Sequence, residues 1–554
     1  MDNPSPEPAK ALSPAHSPTL PPQLFPVRFW IILAAALMMV APWMWRGIPS
    51  GHDFEFHLNS WMEVAAQWHN HIVLPRWAAQ ANYGYGEPRF IFYPPFSWTL
   101  GALLGLLLPW KLAPAAYVVC VLALAGCAMF VLAREYLPPT DALFAALFYP
   151  LNPYHIVIVY WRSAYAELLA AALLPLVLLF ILRLERGGRS ATICLALVMA
   201  AGWYSNAPAA VMINYSAAIL VGVVAWRLRS PRVLLQGSFA ILVAAGLAAF
   251  YILPAAYEQR WIQISQVLSP GVRPQDNFLF TTISDADHNR FNLLASLIAI
   301  SEIVTGLASI LVLLRRRSLH LAQLVLFAWA AFAIVLMLSP TLLLYRYLPE
   351  LQFVQLPWRW LLCLNVPLAL LLPMAFRRWP ARTLICAAML AVIAIVWVKV
   401  QPPWWDKAAD ITEMQQFQHG PGYEGTEEYV PTAGDAYEVD KNARKVTYDG
   451  PGSAQLHVLQ WAPEFRFLTA EVTQPGALIM RLFNYPAWKV DVNDREADPS
   501  ARDVTGQMVI PVGAGKNYVL ISFRRSWDRT VGAWISFLTL IGVAFAGFKA
   551  WHAS

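Results

Sequence analysis

The sequence predicts a polytopic α-helical membrane protein with an antiparallel β-sandwich outside the bilayer near its C-terminus. Three observations carry this. Of 554 residues, 58% are hydrophobic and 13% charged, against about 25% charged in an ordinary soluble domain, more apolar surface than one water-solvated core uses. Apolar runs of about 17 to 25 residues, the helical length that crosses a ~30 Å hydrocarbon layer, recur along most of the chain. Residues 401–530 break that pattern, turning polar with approximate period-two alternation. Soluble dehydrogenase, kinase and DNA-binding classes are thereby excluded.

Taken in order, residues 1–27 are a disordered, Pro-rich cytoplasmic tail, with eight prolines before residue 27 and little that can pack. The apolar stretch 29–45 lacks a small-residue cleavage site and ends in Pro42-Trp43-Met44-Trp45 before Arg46. It reads as a first anchor with its N-terminus inside, not as a cleaved signal. A multi-span domain covers 28–400, interrupted by outer loops at 46–94 and 254–292. Spans are expected near 115–133, 141–160, 167–183, 191–206, 209–226, 233–253, 293–314, 319–339, 358–376, 382–400 and 531–549. Arg-rich connections at 183–189, 227–232, 315–317 and 377–382 agree in parity and belong on the cytoplasmic side. They place the first loop outside only if one early apolar segment fails to cross. Residues 95–110, preceded by Pro94-Pro95 and closed by Pro109-Trp110-Lys111, are the candidate for a re-entrant or interfacial helix. Twelve spans with both termini inside result, or thirteen if that segment crosses.

The formal charge of +6 is accounted for by these loop arginines, so no nucleic-acid partner is implied. All five cysteines fall in apolar segments, and neither a disulfide framework nor a Cys-based metal site is indicated. Within 401–530, strands are expected at Leu456–Trp461, Phe465–Val472, Ala477–Phe483 and Tyr518–Phe523, with a hairpin turn at Asn493-Asp494. Residues 531–554 form the final span and a short cytoplasmic tail.

Chemistry concentrates in Gly51-His52-Asp53-Phe54-Glu55-Phe56-His57, just after the first span. Asp53 and Glu55, flanked by imidazoles, suit a general base or a divalent cation (Mg2+ or Mn2+) held against a phosphate. A solvated acidic loop fits the spacing equally well. The same loop continues through Leu74-Pro75-Arg76-Trp77 and Tyr83-Gly84-Tyr85-Gly86-Glu87-Pro88-Arg89-Phe90-Ile91-Phe92-Tyr93-Pro94-Pro95, dense in aromatics that stack on a sugar or an isoprenoid chain. Arg162 and Arg359 stand at span boundaries, where an Arg fork matches a lipid phosphate; a structural ion pair of Arg162 with Glu167 is the competing explanation. In the second loop, Glu258, Arg260 and Asp285-Ala286-Asp287-His288 offer a further ligand or acceptor contact, though an exposed acidic turn explains the latter more simply.

In their order, the acidic motif, Pro-Arg-Trp, Gly-Tyr-Gly and Phe-Tyr-Pro-Pro elements resemble the membrane family labelled 6-pyruvoyl-tetrahydropterin synthase-related. Tyr160-Trp161-Arg162-Ser163-Ala164-Tyr165-Ala166-Glu167, Gln355-Leu356-Pro357-Trp358-Arg359-Trp360 and Glu428-Tyr429-Val430-Pro431 extend the likeness over most of the chain. Asn484-Tyr485-Pro486-Ala487-Trp488 departs from the usual Tyr-Pro-Gly-Trp of related outer domains at Ala487. The family is similar in layout to the GT-C superfamily of integral-membrane glycosyltransferases. The resemblance implies a polyprenyl-phosphate-linked sugar donor, a glycan, lipid or protein acceptor, and an active site on the outer face of the cytoplasmic (inner) membrane. By that likeness Asp53 leads as the catalytic position and Glu55 follows. His57, Arg76, Arg89, Tyr93, Arg162, Glu167, Arg260, Asp285 and Arg359 are the expected substrate-binding set. A lipid-linked-saccharide flippase and a non-catalytic envelope-assembly protein are the alternatives. The first expects charges along a path through the spans; the second expects Asp53→Asn to be silent.

Overall fold

In the computed structural model, the described residues are 24–552, apart from 187 and 317–319. Most of the expected Pro-rich tail (1–23) and Arg317 therefore lie outside the described residues.

Among the described residues, nine helices are long and apolar enough to cross a bilayer, from Val27–Arg46 to Trp527–Lys549. Two bent pairs raise this to eleven: Pro231–Leu247 with Ala249–Trp261, bent by 69°, and Leu321–Leu336 with Ser339–Tyr347, bent by 86°. The expected spans at 233–253 and 319–339 are thus broken, the first just before the helix that contains Pro254 and the second before Pro340. The stretch expected at 191–206 is the 17-residue helix Arg189–Ser205, marginal for a crossing, so a count of twelve or thirteen spans is not reached. Pro95–Leu107 has 13 residues, roughly 20 Å of helix and too short to cross.

Large apolar side chains left exposed mark the lipid face, as on Leu235, Phe239 and Leu242, or Trp534, Leu538 and Phe545 of the final helix. Inward faces interlock through small residues; a methyl group on Gly126 would lie 2.6 Å from Ile32.

The two ends of this helix array differ chemically. At one end Glu135 takes Arg183 at 2.6 Å and Arg186 at 2.8 Å, Asp141 takes Arg382 at 2.7 Å, and Arg316 donates to the carbonyls of Met374 and Ala375. Three of the Arg-rich connections therefore meet. Helices starting or ending there, 139–162, 165–186 and 357–375, carry Arg162, Glu167 and Arg359 to the other end.

At that second end the chain adds a β-sandwich. One sheet runs Val446–Asp449, Gly476–Phe483, Gln507–Val512, Ser500–Ala501 in spatial order. The other runs Ala454–Ala462, Phe465–Val472, Gly515–Phe523, Trp488–Val492, Arg495–Ala497, and all pairings are antiparallel. Alternation explains the core: Leu468, Ala470 and Val472 from one sheet face Leu478, Met480 and Leu482 from the other, all buried. The expected hairpin at Asn493-Asp494 forms with φ of 51° and 62°, the paired left-handed conformation of a type I′ turn. Between membrane helices and sandwich, residues 401–445 return to the first loop. Trp405–Asp406 pairs with Ile48–Pro49, and helix Ala408–Phe417 packs on helix Phe54–His69.

Candidate active site at the membrane boundary

Asp53 is placed by backbone, not by its own side chain. The helix through Tyr154 widens into a π-helical turn at Ile158–Arg162 and stops at Ser163, whose φ is 50°. That leaves the Arg162 carbonyl free to accept from the Asp53 amide at 2.9 Å, while Ser163 Oγ accepts from the Gly51 amide at 3.0 Å and donates to the Pro49 carbonyl at 2.9 Å. Gly51 is required at this crossing, because a Cβ there would stand 2.4 Å from the Trp161 carbonyl oxygen. On its other side Ser50 donates to the Trp404 carbonyl at 3.1 Å. The loop 49–53 is thus clamped between two segments distant in sequence.

The result is a charge cluster. The Asp53 carboxylate, 40% exposed, lies 3.8 Å from the Arg162 guanidinium. Arg162 is ion-paired with buried Glu167, which is also 3.2 Å from Arg359 and accepts from the Tyr154 hydroxyl at 2.6 Å. Two buried guanidiniums therefore share one buried carboxylate, and Asp53 is the second negative charge. Arg162 also lies over the Trp358 ring at 5.2 Å. Arg359 donates to the Val354 carbonyl and to Gln355 Oε1, each at 2.9 Å.

A cavity of about 760 Å³ opens here, lined by Asp53, Glu55, Arg89, Tyr93 and Arg359 among the expected residues. Its apolar wall includes Phe92, Trp203, Val211, Tyr251 and Val267. Residues 423–429 close it from the sandwich side. Burial, with repulsion from Asp406 and Glu424, holds the Glu55 carboxyl above its ordinary value.

Several of the expected residues are committed to other contacts. Arg162 and Glu167 stand behind Asp53 rather than in the cavity lining, so they act on its carboxylate and on Arg359. His57 is buried against Tyr93, Trp61 and Tyr165, outside the lining; burial lowers its imidazole to about 4, which keeps it neutral. Arg76 is ion-paired with Glu464 and ties the first loop to the sandwich. Arg260 stacks on the Tyr257 ring at 3.8 Å. Asp285 caps helix Ala286–Leu314, accepting from the amides of Asp287 and His288 at 2.9 and 3.2 Å. Arg89 lines the cavity but commits its donors to Glu87 at 2.7 Å, Ser60 at 2.9 Å and Thr426 at 3.4 Å, which pins the 423–429 segment over the first loop.

Sequence reasoning passed over Glu428 as a site residue although its motif was legible. Glu428 lines the cavity, and burial, reinforced by Glu87 and Asp53 and opposed by Arg89, raises its carboxyl to about 7. Tyr423, also lining it, donates to Glu63 at 2.5 Å. Among the described residues no group of three or more His, Cys, Asp or Glu side chains is placed to hold a metal ion.

The sequence profile of a family described as a 6-pyruvoyl-tetrahydropterin synthase related domain, membrane protein, matches residues 90–404, more than half of the chain. No curated protein matches it. Among solved structures, it is similar to ArnT from Cupriavidus metallidurans bound to undecaprenyl phosphate, at 13% identity and a TM-score of 0.43, over 68% of this chain and 64% of that one. It is also similar to the Archaeoglobus fulgidus oligosaccharyltransferase, at 13% identity and 0.40, over 74% and 57%. The mycobacterial arabinofuranosyltransferase AftD gives 17% identity and 0.38, over 67% and 26%. The chain thus spans less than two thirds of each of these proteins.

Proposed function

The chain belongs to the 6-pyruvoyl-tetrahydropterin synthase related family of membrane proteins, and from that premise we propose that it is a glycosyltransferase using a polyprenyl-phosphate-linked sugar. One observation carries the reading. A half-exposed carboxylate, Asp53, and a guanidinium, Arg359, line one cavity at the end of the membrane-spanning helices, with Arg162 and Glu167 bracing both from behind.

In the reaction, an acceptor hydroxyl attacks the anomeric carbon, the bond from that carbon to the phosphate oxygen breaks, and the lipid phosphate departs. Asp53 accepts the hydroxyl proton. Arg359 faces the charge that grows on the leaving phosphate, where a preorganised donor acts most strongly. The apolar wall along Phe92, Trp203 and Val211 suits the first isoprenoid units. The donor is already activated, so the step is complete without a nucleotide.

Sidedness follows from charge. The Arg-rich helix ends opposite the cavity are of the kind that the positive-inside rule keeps in the cytoplasm, which supports a cavity and sandwich on the outer face of the inner membrane. A transport reading finds one observation in its favour, the buried Glu302 within helix Ala286–Leu314; one of its carboxylate oxygens accepts from the Tyr154 amide at 2.9 Å, which ties it to a neighbouring helix.

Purified protein incubated with radiolabelled polyprenyl-phospho-sugars and a panel of hydroxyl acceptors tests the proposal. A labelled glycoside and free polyprenyl phosphate are expected. Movement of intact donor between leaflets with no bond cleavage points to transport instead.

A further inference from the structure

A second cavity, of about 470 Å³, lies beyond Tyr251, which walls both spaces. Phe90, Ile91, Trp98, Phe250 and Pro254 form its apolar side. Arg76, Arg525 and Arg529 form the other, and no carboxylate is in the lining.

The three cations are not equivalent. Arg76 is ion-paired with Glu464, and Arg529 holds both oxygens of Glu258 at 2.6 Å. Those carboxylates, and the buried Asp528 carboxyl set against Glu258, stand outside the lining. Arg525 is exposed, and its guanidinium donates to the Arg529 carbonyl at 3.3 Å. Among the described residues, no carboxylate lies within ion-pairing distance of Arg525.

The level of this cluster in the membrane is fixed by its neighbours. Arg525 precedes by two residues the lipid-facing helix Trp527–Lys549. Trp527 is exposed, as are Val73 and Leu74 beside Arg76. A cation, an indole and exposed aliphatics at the start of a span define the head-group layer.

We propose that this cavity binds an anionic phospholipid of the surrounding bilayer, with its phosphate on Arg525 and its first chain carbons along Ile91, Trp98 and Phe250. An uncompensated guanidinium at head-group depth matches a phosphate, and the adjoining apolar wall matches the chain. The lipid would sit where the first loop, the final span and the sandwich meet, since Arg76 reaches the sandwich through Glu464. This site is separate from the proposed donor cavity and independent of the transferase reading.

The test is native mass spectrometry of the full chain in neutral detergent, titrated with phosphatidylglycerol, phosphatidylcholine or inorganic phosphate. One retained phosphatidylglycerol is expected, and about fivefold less in Arg525→Ala, the effect of one cation near a membrane surface. Ala533→Trp keeps every cation but fills the cavity that Ala533 lines, and is expected to lose the lipid as well; Asp53→Asn is expected to keep it. Equal retention of phosphatidylcholine, retention unchanged in both cavity variants, or displacement by millimolar inorganic phosphate would overturn the proposal.

Discussion

Glu167 is the residue on which the charge cluster depends, because it alone among the described residues pairs with both Arg162 and Arg359. Removing one partner of a buried ionic group leaves the others unpaired, at about 3 to 5 kcal/mol. Glu167→Ala is therefore expected to lower thermal stability in detergent by that order, whereas Glu167→Gln, which keeps a hydrogen-bond acceptor, costs less. Equal melting of Glu167→Ala and the wild type would show that the pairing is not structural. The ion pair of Arg162 with Glu167 was named from sequence, although a spacing of five places the two poorly on one face of a continuous helix. They meet because the helix stops at Ser163, and a left-handed backbone on a serine has no reliable sequence signal. Arg359 was legible as a boundary cation, but its sharing of Glu167 is a tertiary event across nearly 200 residues of chain.

At the scale of elements, the loop 49–53 and the turn 161–163 act as one unit through Gly51. Gly51→Ala places a methyl carbon against the Trp161 carbonyl oxygen, so it is expected to reduce sugar transfer by at least about tenfold through misplacement of Asp53. Transfer assays alongside melting curves separate that effect from global unfolding; unchanged transfer would contradict the clamp. The first loop and the sandwich are joined by Arg76 and Glu464, for which a double-mutant cycle is expected to show coupling of about 0.5 to 3 kcal/mol. The hairpin at 493–494 and the strands beside it were readable because turn chemistry and alternation are local. Strands Val446–Asp449 and Gln507–Val512 were not: one has four residues, and the other carries Pro511 with a register shift in its pairing. Spans were readable by length and hydropathy. The bends near 248 and 338 were not, since an apolar run looks the same whether straight or broken.

For the whole molecule, buried acids set the pH dependence of stability. Glu63 and Glu428 are both raised from 4.5 to about 7, chiefly by burial. At these two groups the folded state holds protons that the unfolded state has released between about pH 4.5 and 7, so their contribution to stability falls as pH rises through that window, while His57, lowered to about 4, contributes in the opposite sense. Glu428→Gln removes its share of the decline: relative to wild type, it is expected to melt higher at pH 8 than at pH 4.5. A melting difference that is the same at both pH values would contradict the assignment. Topology belongs to this scale too. Single cysteines at exposed positions 285 and 378, on opposite ends of the helix array, are expected to react with a membrane-impermeant reagent from opposite sides, 285 from outside.

The central claim is that Asp53 takes the proton of the acceptor hydroxyl. The most direct measurement is the single-turnover rate of labelled-sugar transfer by Asp53→Asn and wild type at saturating donor. A fall of roughly 10² to 10⁴-fold, with donor binding retained, is the predicted result. Transfer at the wild-type rate in Asp53→Asn would contradict it.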